Sequence, residues 1–188
     1  LGGYNIFKEA VIRQFWAKEP NSVYRPQLLK KLYPYLPQMH SMNGTGLKLF
    51  FGYKLGETNS PVYSHLLRWH NTSRIQNYFS TETNDFLSNY NPVDNFIESY
   101  GKKLEKADLL SRAQWIEMKL FLSGYLLSSQ GDRMAMAHSL EGRYPFLDHR
   151  IIDFCMMLPP NYKMHGLNEK YLLKKMMNKK LPQQIVDR

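Results

Sequence analysis

The chain has 188 residues, with 25 Lys and Arg against 16 Asp and Glu, a formal net charge of +9, and 43% hydrophobic and 22% charged residues. Such a chain buries one good core, and length predicts a single domain over residues 1–188. The longest apolar runs, such as Phe154 to Leu158, are far too short to span a membrane. One cysteine, Cys155, excludes an internal disulfide and a cysteine-rich zinc site, and with no secretion-type leader in view the expected setting is the cytoplasm.

In chain order, Leu1 to Tyr4 read as a glycine turn, and Ile6, Phe7, Ala10, Val11, Gln14 and Phe15 give helical spacing that stops before Pro20. Arg25-Pro26 starts a short helix with Leu28, Leu29 and Leu32 on one face. Residues 38–46 are polar and read as a loop, and 47–55 fit a helix or a buried strand equally. Pro61 opens a helix carrying Tyr63, Leu66, Leu67 and Trp69, and Asn71 or Thr72 is placed to cap the next one. Ser80 caps another, with Glu82 near its positive end. Asn91-Pro92 is a helix start with core spacing at Val93, Phe96, Ile97 and Tyr100, and Gly101 is its expected stop.

Asp108 or Ser111 begins the longest periodic stretch, where Leu109, Ala113, Ile116 and Leu120 form one row and Trp115, Met118 and Leu122 widen it. Met134, Ala135, Met136 and Ala137 read as a buried or half-buried helix. Gly142 and Pro145 end it, and Pro145 holds Tyr144 extended. In an extended run Glu141 and Arg143 point to one side, so they can pair, and partial burial would make that pair costly to break. Asp148 is placed to cap a helix through Leu158. A helix over about residues 168–178 and a short one after Pro182 close a mainly α chain. Cys155, between Phe154 and Met156, reads as an inert core thiol, and His138 and His149 as scaffold.

The string Asp132-Arg133-Met134-Ala135-Met136-Ala137-His138-Ser139-Leu140-Glu141-Gly142-Arg143-Tyr144-Pro145-Phe146-Leu147-Asp148 resembles the signature of the glutamine-dependent asparagine synthetase family, in its ATP-using domain. Leu1-Gly2-Gly3-Tyr4 resembles the turn that follows the family's acidic Ser-Gly-Glu-Gly loop, and Lys170-Tyr171-Leu172-Leu173 a stretch near the domain's end. The resemblance spans essentially the whole chain, with residues 40–107 the least diagnostic. It implies the helical C-terminal portion of an adenine-nucleotide α-hydrolase-like (ATP pyrophosphatase) α/β synthetase domain, with the parallel sheet largely outside this chain. It also implies an activity. The aspartate side chain attacks the α-phosphate of ATP, giving β-aspartyl-AMP and pyrophosphate, and ammonia from a glutaminase domain displaces AMP to leave asparagine.

Such a reaction needs magnesium, backbone donors and basic groups against the developing charge. The family's Ser-Gly-Gly-x-Asp-Ser loop is not in this sequence, so ATP and magnesium are expected to be held mainly by other parts of a longer protein, and this chain alone to be inactive. No catalytic residue and no metal ligand is expected here. Asp132, Arg133, Ser139, Glu141 and Arg143 are expected beside the synthetase cleft, orienting loops that touch the reacting atoms. Lys170 could approach a phosphate, though a solvated helix lysine is the plainer reading. The face from Ile6 to Phe15 is expected to lie bare and drive self-association. Expected partners are aspartate, glutamine or ammonia, and a second copy of the chain, with no membrane and no specific nucleic acid. The basic residues fall in separated pairs (Lys30-Lys31, Lys102-Lys103, Lys174-Lys175, Lys179-Lys180) rather than in a stripe. Two other readings stand beside this one: a relative adenylating another carboxylate, of the β-lactam synthetase or peptide cyclase type, and a non-enzymatic basic helical module binding acidic partners.

Overall fold

The computed structural model describes residues 2–186; Leu1, at the head of the expected glycine turn, and Arg188 lie outside the described residues. The chain is mainly helical, as its periodicity predicts. Among the described residues the β-structure is one antiparallel ladder of two-residue strands, β1 (Met164–His165) and β2 (Asn168–Glu169). The chain divides into two compact units, residues 8–112 and residues 2–7 with 113–186.

In the 8–112 unit, α1 (Asn5–Ala17) ends where Trp16 Nε1 donates to the Pro20 carbonyl at 3.1 Å. Arg25–Leu32 winds as a 3-10 helix, so Pro26, Leu29 and Leu32, three apart, form the buried face in place of the expected Leu28 row. Residues 38–46 are not all loop. Pro37 opens α2 (Pro37–Ser41), and Asn43 caps α3 (Gly44–Phe51) by accepting from the Gly46 amide at 2.8 Å, which settles 47–51 as helix. Helix α4 (Tyr63–Ser73) runs through Asn71 and Thr72, so neither caps the next helical turn as expected, and Thr72 Oγ1 donates back to the Arg68 carbonyl at 2.9 Å. Ser80 caps α5 (Thr81–Leu87) and Asn91 caps α6 (Pro92–Leu104), as the sequence predicts. Gly101 does not stop α6. A Cβ there would meet Ile97 Cγ2 at 3.2 Å and Pro61 Cγ at 3.7 Å, so this glycine permits close packing inside the helix.

The α1 face expected to lie bare is buried: Ile6, Phe7, Ala10 and Ile12 are all covered, and Phe15 alone of the expected large apolar side chains is exposed. Within the 8–112 unit that face carries charge into the core. Arg13, with no exposed surface, donates from Nε to the Phe51 carbonyl at 3.0 Å and from Nη2 to that of Tyr53, and its guanidinium lies 4.9 Å from the Tyr63 ring centre. One turn earlier, Glu9 Oε2 accepts from Tyr33 Oη at 3.3 Å and faces Arg68 Nη2 at 3.5 Å.

Asp108 of the 8–112 unit accepts from the Ser111 amide at 3.0 Å and caps α7 (Leu109–Ile116). In the second unit, which begins within α7 at Ala113, the run continues as a wide helix with i→i+5 bonds over Glu117–Asp132 and then as α8 (Arg133–Ala137). Ala113 and Ile116 are buried, but Leu120, the next of the expected row, is exposed, because the wider turns rotate successive side chains differently from an α-helix. Met134 and Met136 are likewise exposed rather than half-buried. A 3-10 turn (Pro145–Leu147) leads to α9 (His149–Met157), followed by α10 (Pro160–Lys163). The ladder takes up residues expected to begin the next helix, so α11 covers only Tyr171–Met177, and α12 (Gln183–Val186) closes the described chain. No helix of the described residues is long and apolar enough to cross a membrane.

Burial pushes the Glu9 carboxyl above its ordinary value of 4.5, with Arg68, Arg13 and Tyr33 pulling it back. The folded chain therefore holds this proton more tightly than the unfolded chain. That contribution favours folding below the ordinary value and is lost as pH rises through the raised one. Relative to Glu9→Gln, the unaltered chain should lose stability as pH rises from weakly acid toward neutral, read as urea midpoints of both proteins. A difference that stays flat or grows with pH removes Glu9 as the titrating group.

Candidate ligand cavity and the charged segment

Asp132 and Arg133 are consecutive in the long helical run, both exposed, and so point about 100° apart. Helix α8 stops in a left-handed cap. Ser139 has φ +55°, its amide donates to the Met136 carbonyl at 3.1 Å, and the Leu140 amide donates to that of Ala135 at 2.9 Å. Glu141 and Arg143 do pair, Oε1 to Nη2 at 2.7 Å, with side chains 74% and 81% exposed, so the pair is solvated and the cost attached to partial burial does not apply. A Cβ on Gly142 between them would stand 2.5 Å from Tyr144 Oη, so a side chain there would displace the Tyr144 ring. Asp148 caps α9 through the Arg150 amide at 2.9 Å. It also takes a two-pronged contact from the Arg150 guanidinium, at 3.0 and 2.8 Å, which holds its carboxyl below the usual range. Of Asp132, Arg133, Ser139, Glu141 and Arg143, only Glu141 and Arg143 are joined by a direct contact, and none of the five lines the cavity described next.

That cavity, of about 530 Å³, is formed wholly within the unit of residues 2–7 and 113–186. One wall is Gln114, Glu117, Met118 and Leu122 of the long helical run. Ile151, Ile152, Cys155 and Met156 also line the cavity, a spacing that puts all four on one face of α9. Phe146 and Leu147 come from the 3-10 turn, Gly2, Gly3, Tyr4 and Phe7 from the start of the chain, and Lys170 and Leu173 from the start of α11. Gly2 has φ +76°, which glycine adopts without strain. A Cβ on Gly3 would lie 2.6 Å from Lys170 Cε, so the lysine stem rests on bare backbone. Lys170 itself is exposed, as its plainer reading expects, but has φ +55° and stands at the N-cap of α11 rather than within the helix. Tyr4 stacks on Phe7 with ring centres 6.0 Å apart. Cys155 is half-buried in this wall and is not a core thiol.

The three segments whose residues resemble one family each contribute to this cavity: Gly2 to Tyr4, Phe146-Leu147, and Lys170 with Leu173. Gln114 and Glu117 were not foreseen as site residues. Their signal, two polar residues three apart inside an apolar helical stretch, is visible only once the rest of the lining is known. Among the described residues no group of three or more His, Cys, Asp or Glu could hold a metal ion.

The model of the asparagine synthase family matches residues 1–188. The chain is 24% identical over its full length to asparagine synthetase [glutamine-hydrolyzing] 1 of Bacillus subtilis, of which it covers 28%. It is 38% identical over 74 residues to asparagine synthetase [glutamine-hydrolyzing] 3 of the same organism, covering 39% of this chain and 12% of that protein. It is 29% identical over 107 residues to amidase chyE of Penicillium rubens, covering 44% of this chain and 16% of that protein. The chain thus spans under a third of the length of these relatives. No solved structure matches it significantly.

An exposed ion pair is screened by water and salt, so Glu141→Gln, Arg143→Met and the double variant should show a coupling of about 0.2–1 kcal/mol in urea unfolding. A coupling several times larger would mean that the pair is buried in the working protein. Ser139→Gly should stabilise by up to about 1 kcal/mol, by relieving the left-handed backbone, and unchanged or lower stability would assign Ser139 contacts beyond its cap.

Proposed function

Since the chain belongs to the asparagine synthase family, we propose that it is the later part of the synthetase domain of a longer enzyme that makes amides from ATP, a carboxylate and ammonia. The reading is carried by the convergence of the three family-like segments on one cavity. In the first form of this reading the carboxylate is the side chain of aspartate. Its oxygen attacks the α-phosphate of ATP, pyrophosphate leaves, ammonia derived from glutamine attacks the acyl carbon, and AMP leaves with asparagine as product. ATP and magnesium are engaged mainly by segments of the longer protein, including the parallel sheet and phosphate loop of an ATP-pyrophosphatase fold. The residues described here offer magnesium no ligand cluster.

What this chain adds is a wall and a charge. Lys170, with its stem laid on Gly3 and its φ fixed at +55°, presents an ammonium at the cavity rim, where it offsets negative charge on the reacting carboxylate and phosphate. Glu141 and Arg143, exposed and paired, and Asp132 and Arg133 on the helix before them act by orienting the neighbouring segments of the longer protein. A second reading, an amide-forming relative acting on a different carboxylate, is favoured by the cavity's apolar walls and agrees with the amidase-named relatives.

Exchange of labelled pyrophosphate into ATP tests the proposal. The longer protein should catalyse it in the presence of magnesium and the correct carboxylate, and the 188-residue chain alone should not. Lys170→Met in the longer protein should lower the exchange rate about 10²-fold with the fold intact, the loss typical of one preorganised electrostatic group. Exchange by the isolated chain, or full exchange by the Lys170 variant, would overturn these assignments.

A further inference from the structure

We propose that the cavity of the 2–7 and 113–186 unit binds a monocarboxylate with an apolar body, the carboxylate meeting Lys170 at the rim and the body lying against Met118 and Ile152. This names a substrate class for the second reading of the amide-forming site, the one with a carboxylate other than aspartate, and its catalytic meaning rests on that reading; the binding itself does not.

The walls decide the body. Most side chains around the 530 Å³ space are aliphatic, aromatic or sulfur-bearing, and the polar exceptions are Gln114, Glu117 and Lys170, with Cys155 only weakly so. Sites of this size bind by covering apolar surface and use a few polar groups to fix orientation. Aspartate carries three charged groups on a four-carbon frame. It has almost no surface to lay against such walls and would leave much of them facing water. Met118 and Met156 add adaptable, polarisable surface to the lining, which suits a class of bodies rather than one shape.

The charges decide the head. Glu117 is already engaged within the protein, whereas Lys170 lines the rim with its stem packed on Gly3. With the Glu117 charge engaged within the protein, Lys170 matches one negative charge on a ligand, but a phosphate dianion or a dicarboxylate would carry a second charge into apolar surroundings without a partner.

Cys155 lies in this wall and is the chain's single cysteine, so its alkylation reports on the cavity alone. The experiment measures the rate of N-ethylmaleimide labelling of the full 188-residue chain alone and with equal concentrations of 4-phenylbutyrate, 4-phenylbutanol or aspartate. Phenylbutyrate should slow labelling at least about fivefold, phenylbutanol clearly less, and aspartate not measurably. In Lys170→Met, with unchanged circular dichroism, phenylbutyrate should protect no better than the alcohol. Equal protection by acid and alcohol in the unaltered chain would overturn the assignment of the carboxylate to Lys170, and this comparison does not need the variant to fold. Protection by aspartate, or none by phenylbutyrate, would overturn the proposal as a whole. Pyrophosphate exchange in the longer protein is read separately. Protection without exchange on any carboxylate removes the amide-forming reading and keeps the cavity, while exchange with aspartate and no protection removes the apolar-bodied ligand and keeps the enzyme.

Discussion

A guanidinium with no exposed surface must find its partners inside the fold, and Arg13 sets that condition for the 8–112 unit. Its donors take the carbonyls of Phe51 and Tyr53, where α3 ends and the next turn begins, and its flat face lies near Tyr63 at the start of α4. Those carbonyls would otherwise point into a helix terminus with nothing to accept. The arginine therefore supplies a C-terminal cap from a different helix and ties α1, α3 and α4 by polar geometry rather than by apolar area alone. Glu9, one turn away and almost as deeply buried, is kept tolerable by Arg68 and Tyr33. Removing Arg68 would leave the buried Glu9 carboxylate without its ion-pair partner, which is why such a set resists piecemeal change.

The other unit follows a different logic. Few of its side chains are deeply buried, and its organisation centres on a space lined by four separate stretches of chain. Two glycines at the beginning make that possible. One turns the chain through a left-handed conformation, and the other leaves room for a lysine stem to lie flat. The lysine stem is thereby held against backbone, and its exposed head is open to a ligand at the cavity.

Local chemistry was legible in the sequence where it was self-contained. Ser80, Asn91 and Asp148 cap the helices they were expected to cap, because a cap needs only the amides two or three residues on. Gly101 misled because its small size answers the branched side chain of Ile97 one turn back inside α6, so the glycine serves the helix it was expected to stop. Asn71 and Thr72 misled because the Thr72 hydroxyl can bond the preceding turn as readily as cap a new one. At the site, the family-like strings identified the segments that meet at the cavity but not which of their residues face it. The conspicuous charges, Glu141 and Arg143, satisfy each other in the open, while the quieter Phe146, Leu147 and Lys170 form the walls. Charge in a sequence marks where a partner is needed, and the nearest partner may be two residues away.

The wide helix over Glu117–Asp132 changes what a gain or loss of residues does to the chain. In an α-helix such as α7, deleting one residue swings everything downstream by about 100° and turns a core face outward. A run of i→i+5 turns, closed by the Arg133 amide on the Ser128 carbonyl, holds more residues per turn than an α-helix needs. A deletion there can be absorbed by rewinding one turn toward the narrower form, leaving α8 and the segment beyond it facing as before. The stretch between the cavity wall and the Asp132-Arg133 pair thus acts as slack in the chain, a place where length can drift through descent while both ends keep their stations.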